Sequence, residues 1–175
     1  MKYLSEQKAL EKLHNLKSNY QQEIKSAYGH KAKNCLTCET KGACCLDAHF
    51  VNVHITRLEA AAIRKTLSKL PESAQQQIKL RIDETIEKYG LNTAGDTFSK
   101  TFACPLFEKS TGCLIHHEGK PLPCITHACY ENKADLPPDL LQTEQEIAVS
   151  DLNRKTYGAD AWWLPLPVAI SRNRG

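Results

Sequence analysis

The chain carries eight cysteines in two groups: Cys35, Cys38, Cys44 and Cys45 within NCLTCETKGACC, then Cys104, Cys113, Cys124 and Cys129 after 58 intervening residues. Thiolates two residues apart, as in Cys35-Leu-Thr-Cys38, can reach one metal because the turn between them aims both sulfurs at a common point. The same spacing also serves redox dithiols. Core packing does not call for two such groups, one on each side of a predicted strand and two helices. They point to a common site that folding assembles. Side chains of the vicinal pair Cys44-Cys45 point opposite ways on an extended backbone. Either one sulfur ligates while the other packs in the core, or the pair serves two metals or a larger cluster. Gly42 permits the tight turn that convergence demands. Zinc would take closed four-thiolate sites, of which eight thiols make two, whereas an iron–sulfur cluster takes four thiolates and leaves the rest.

These thiols are expected to be reduced. A chain of 175 residues is long enough to bury a core without crosslinks. MKYLSEQKALEKLHNLK mixes charge with apolar residues and has no continuous apolar run of the secretory kind. The expected location is the cytoplasm, where thiols are kept reduced. No stretch is apolar enough to predict a membrane span. The 23 Lys and Arg against 20 Asp and Glu are spread out, so no nucleic-acid footprint is indicated.

The expected fold is mostly α with short strands and irregular loops, a cysteine-rich, metal-centred domain. Residues 1–30 form an amphipathic N-terminal segment, with Tyr3, Leu10, Leu13, Leu16, Tyr20, Ile24 and Ala27 near helical spacing over residues 2–28. That helix packs on the domain or, as the alternative, pairs with a second copy in a homodimer, although Glu6 and Lys17 interrupt a strict heptad. Residues 31–130 hold the cysteine clusters. Within them, Val51, Val53 and Ile55 alternate with Asn52 and His54 as in a half-buried strand. Thr56-Arg-Leu-Glu59 has the form of a capping box at the start of a helix running to about Leu70. Pro71 opens a further helix with the stripe Ala74, Ile78, Ile82, Ile86, Tyr89. Residues 131–175 are a C-terminal helix after Pro137-Pro138 and an apolar tail, AWWLPLPVAIS, broken by Pro165 and Pro167 and packed on the same domain.

The order of these elements resembles the YkgJ-like, or CxxCxxCC, cysteine-cluster family, described as a zinc- or iron-chelating domain. The likeness covers roughly residues 35–130: a CxxC, a vicinal CC, a strand, a capped helix with an early Glu, then ACPLF, GCLIH and KPLPC. It implies metal ligands at Cys35, Cys38, Cys44, Cys45, Cys104, Cys113 and Cys124. Cys129 lies beyond the pattern and is an eighth candidate. The chain has five residues between CxxC and CC where the family usually has two, Lys120 where it prefers Arg, and Ile125 where an Arg often follows the last cysteine. A related cluster in flagellin lysine N-methylase resembles an iron–sulfur site, which tips the expected group toward iron.

His116, His117 and His127 are alternative ligands, since imidazole suits zinc and Rieske-type iron. The bland reading, loop histidines, weighs more, and His49 and His54 read as polar-face residues. Cys124 with His127 as a catalytic pair, and Asp83-Glu84 as acid and base, lack support from spacing alone. No glycine-rich strand-turn-helix of the kind that cradles a nucleotide is present. Trp162-Trp163 is a packing anchor or, as the sharper alternative, a surface for a protein partner. The expected function is metal binding, by an iron–sulfur cluster or Zn2+, in a redox, metal-handling or structural role. The alternative is an enzyme component, protein-modifying or methyltransferase-associated, whose metal centre supports the reaction.

Overall fold

A computed structural model describes residues 3–33, 39, 42–46, 52–92, 96–128, 130 and 132–172. Helix α1 (Glu6–Ala27) starts at Ser5, whose hydroxyl accepts the Lys8 amide. Strand β1 (His54–Thr56) runs directly into α2 (Arg57–Leu67), and α3 (Glu72–Lys88) follows Pro71. A hairpin of two short strands, β2 (Phe107–Glu108) and β3 (Gly112–Cys113), precedes the five-residue helix α4 (Leu122–Thr126). Helix α5 (Asp139–Tyr157), strand β4 (Trp163–Pro165) and helix α6 (Leu166–Ser171) complete the order. The architecture is mostly α with short antiparallel strands and loops, as the sequence implies.

Two apolar clusters share α2. On one side Ile63 and Leu67 meet Ile78, Ile82 and Ile86 of α3, Leu166 and Ile170 at the C-terminal end, and Phe102, Leu106 and Ile115 of the second cysteine segment. On the other, Leu58 meets Ala9, Leu13, Tyr20 and Ile24 of α1, Leu122 and Ile125 of α4, and Val149 of α5. The α1 stripe is thus buried inside the chain, against α2, α4 and α5. Two of its expected members, Tyr3 and Ala27, are exposed, and Lys17 is buried in their stead.

Helix α2 is held at its start by all of its neighbours. The capping box is present: Thr56 Oγ1 accepts from the Glu59 amide at 3.2 Å, and the Thr56 amide donates to Glu59 Oε2 at 3.0 Å. The Leu58 amide donates to Asn153 Oδ1 of α5 at 3.1 Å, and the Arg57 amide to the Trp162 carbonyl at 3.1 Å. All four amides that a helix start leaves without intrahelical partners are satisfied this way, two of them by residues about a hundred positions away. The helix ends at Leu67, three residues before the expected stop.

The apolar tail is more regular than its prolines suggest. Pro165 closes β4 and stands at the N-cap of α6, with Pro167 in the first turn, where a missing amide costs nothing. Strand β4 pairs antiparallel with β1 in the register Ile55↔Leu164, and the Leu166 amide reaches the Val53 carbonyl at 2.9 Å. Trp162 packs on the first cluster, but Trp163 is 50% exposed, so only the first of the two tryptophans is the expected anchor.

His54 is also corrected. The expected alternation gives way to burial of Val53, His54, Ile55 and Thr56 alike, because β1 is covered on both faces while its partner β4 stays exposed at Trp163. The His54 ring stacks on Phe98 at 3.9 Å between centroids, lies edge-on to Trp163, and has Nε2 3.0 Å from Thr97 Oγ1. Burial lowers its pKa, against the weaker pull of Asp96. His116 and His127 are lowered as well, both by burial and by Lys120. A histidine lowered by folding binds fewer protons in the native than in the unfolded chain. Its contribution is intact above the unfolded value of about 6.5 and is lost as pH falls through it. Urea midpoints are therefore expected to fall between about pH 7 and pH 5, and His54→Phe to remove part of that slope. An unchanged slope in the variant would mean that His54 titrates as it does in the unfolded chain.

Candidate functional site

Cys35, Cys38 and Cys129, like His49, lie outside the described residues. The other five cysteines are partly buried, form no disulfide, and belong to four short pieces of chain. Cys44 and Cys45 sit in a single 3-10 turn, Ala43–Cys45, opened by Gly42 at φ 81°. Cys104 opens a turn closed by the Phe107 amide on its carbonyl at 3.2 Å, and Cys113 a similar one closed by the His116 amide at 3.1 Å. Cys124 lies on α4, behind Pro121 at the N-cap and Pro123 in the first turn, which fix its approach.

Folding joins the Cys44-Cys45 pair to the second cysteine group. The Cys104 amide donates to the Cys45 carbonyl at 2.9 Å, a main-chain link across 58 intervening residues. In the same contact Gly42 packs against the tip of the Phe107 ring, leaving no room for a Cβ. Phe107 pairs with Cys113 across the hairpin, so one aromatic ring supports the first group's turn and the second group's hairpin together.

The vicinal pair does not behave as on an extended strand. A 3-10 turn rotates successive residues by about 120°, not 180°, and the Cys44 and Cys45 thiols hydrogen-bond to each other. That bond, then burial, then the Cys104 sulfur nearby, raises the Cys45 pKa. Burial pushes the Cys104 thiol up to about 12, with Cys113 and Cys44 adding to it. Cys124 rises through burial and then Cys104, and Cys113 mainly through burial.

Opposing groups favour the thiolate at the same atoms. The amides of Leu106 and Ile115, each two residues after its cysteine, face the Cys104 and Cys113 sulfurs and pull their pKa values down. Arg81 acts on Cys104, Lys120 on Cys113 and Cys124, and Lys17 on Cys124. The donors are soft sulfurs, more than four in number, with amides and cations placed where thiolate charge would gather. That chemistry suits zinc or an iron–sulfur cluster. Among the described residues, no group of three or more His, Cys, Asp or Glu side chains stands arranged to hold a metal ion.

His116, His117 and His127 are exposed, and the first two rings contact each other edge to face at 4.9 Å.

Lys17 and Glu59 are the polar residues whose partnership the sequence hides. Lys17 is 8% and Glu59 3% exposed, with Nζ 2.9 Å from Oε1 off the hydrogen-bonding axis. Glu59 is legible as a cap, but its second oxygen serves a cation on another helix. No helix among the described residues is long and apolar enough to cross a membrane. No protein-family model, no curated protein and no solved structure matches the chain.

Proposed function

We propose that the chain is a metal-binding protein whose centre draws thiolates from both cysteine groups, with an iron–sulfur cluster favoured over zinc. The carrying observation is the main-chain bond from the Cys104 amide to the Cys45 carbonyl, which sets the Cys44-Cys45 turn beside Cys104. Cys44, Cys45, Cys104, Cys113 and Cys124 are the described candidates for ligands, and Cys35, Cys38 and Cys129 complete the set. The likeness to the YkgJ-like family supports the same assignment. An iron–sulfur cluster would supply one-electron transfer, and zinc would tie the loops together. The protein's own part is to hold the sulfurs, aim the Leu106 and Ile115 amides at two of them, and offset thiolate charge with Arg81, Lys120 and Lys17. Hydrogen bonds to sulfur and local charge are also what set a cluster's potential.

Anaerobic purification followed by visible absorption and analysis for iron, sulfide and zinc tests this reading. Brown protein with iron and sulfide, lost in Cys104→Ser, is the expected result. Colourless protein with stoichiometric zinc would replace the cluster by zinc. Absence of any metal, with and without oxygen, would overturn the assignment.

The alternative, an enzyme component whose metal centre supports modification of a protein or small molecule, is favoured by one observation. A cavity of about 300 Å³ is lined by Lys120 and Ile125, the latter adjoining Cys124 in sequence.

A further inference from the structure

A second cavity, of about 380 Å³, opens between β1 and the start of α2, helices α4 and α5, and strand β4. Its volume suits a small ligand, and its apolar wall is made by Leu122 and Pro123 of α4, Ile147 of α5 and the two tryptophans. Most of the charge around it is already matched. Both oxygens of Glu59 are engaged, Oε2 by Thr56 and Oε1 by the ion pair with Lys17, and Arg154 is paired with Asp151. Glu146 of α5 differs. It accepts one hydrogen bond, from Gln142 at 2.8 Å, and has no cationic partner among the described residues.

His54 makes this more than an apolar hollow with one acid at its side. The residue lines the cavity at 5% exposure, and its Nε2 is engaged by Thr97 Oγ1. Its Nδ1 has no hydrogen-bond partner among the described residues. A ring nitrogen left unpaired in so buried a residue is costly. Where Nε2 donates to Thr97, Nδ1 is an acceptor. Asp96 adds a second negative charge near the ring. The groups left open in the lining therefore call for a positively charged donor. Trp163 supplies a surface for one. Its ring is half exposed and no cation stands over it among the described residues, whereas Arg172 is 5.7 Å from the Trp162 ring centroid. An indole face is the best aromatic surface for an ammonium.

We infer that this cavity binds a small organic ammonium ion, held by the Glu146 carboxylate, His54 Nδ1 and the Trp163 ring, with its carbon skeleton along Leu122, Pro123 and Ile147. The inference uses neither the thiols nor a metal. Its readout is separate from metal content, so either reading can fail alone.

The test is a titration of the full chain with pentylammonium chloride, uncharged pentanol and sodium pentanoate at neutral pH and fixed ionic strength, followed by NMR of the amides and the Trp163 indole. Pentylammonium should saturate with shifts at Thr143, Ser150, Ala161 and Trp163. Pentanol should bind about tenfold more weakly, the factor that one charge-assisted hydrogen bond supplies, and pentanoate more weakly still. Glu146→Gln should weaken the amine about tenfold and leave pentanol unchanged. Trp163→Leu should lower the ratio of amine to pentanol affinity about fivefold. Glu146 is half-buried and Trp163 half exposed, so neither variant opens the core. No saturation by the amine below about 10 mM, pentanol or pentanoate binding as tightly as the amine, unchanged amine binding in Glu146→Gln, or an unchanged ratio in Trp163→Leu would each overturn the inference.

Discussion

Glu59→Ala is expected to cost about 3–5 kcal/mol of stability, the largest loss for a single polar truncation in this chain. The alanine removes the counter-charge of a buried ammonium, and it also strips the acceptor of the Thr56 amide at the head of α2. Glu59→Gln separates the two effects, because glutamine can serve a capping box but carries no charge. It should recover about 1 kcal/mol relative to alanine. Pairing Lys17→Met with Glu59→Gln removes the stranded charge and should bring stability back near the wild type, since apolar replacement of a buried pair is often neutral. Urea unfolding midpoints of the three variants measure this. A loss below about 1 kcal/mol in Glu59→Ala would mean that Lys17 reaches water in the native state.

Gly42→Ala is expected to separate the two cysteine groups. Its Cβ would overlap the Phe107 ring, and its φ of 81° disfavours any side chain. Gly112, in the same hairpin region, has φ 89° but nothing within 4 Å of a built Cβ. Gly112→Ala therefore reports backbone strain alone, about 1–2 kcal/mol, whereas Gly42→Ala adds a steric clash and should cost about 3 kcal/mol or more. On the proposed metal-binding reading, the metal content of Gly42→Ala should fall with it, while that of Gly112→Ala should match the wild type. Adding Phe107→Ala to Gly42→Ala should restore part of the loss non-additively, because the two residues touch. Equal behaviour of the two glycine variants, in unfolding midpoint and metal content, would sink the view that this contact docks the first group on the second.

What could be read before the fold was known is what short stretches decide. Thr56 and Glu59 announce the start of α2 by their spacing, and Ile78, Ile82 and Ile86 announce the buried face of α3 by theirs. The two cysteine groups also implied a meeting point, and for Cys45 and Cys104 the structure shows a contact, the Cys104 amide on the Cys45 carbonyl. Lys17 was misleading because a charge within an apolar stripe reads as an interruption unless its partner, here 42 positions away, is known. His54 and the AWWLPLP segment were obscure for a related reason. Three-residue strands carry too little pattern to reveal a pairing between residues more than a hundred positions apart. Cys44 and Cys45 turned on backbone conformation: the expected divergence is that of an extended chain, and the 3-10 turn lessens it.

The pairing of β1 with β4 has a bearing on the order in which the protein is made. Residues 163–171 complete the first apolar cluster by laying β4 on β1 and α6 on α3, and they are synthesised after all eight cysteines. At ordinary rates of translation the interval from Cys129 to Ser171 lasts roughly 2–8 s. For those seconds the thiols are on a nascent chain that cannot yet close its core. They must be kept from oxidation, or be met by whatever they bind, before the last strand arrives.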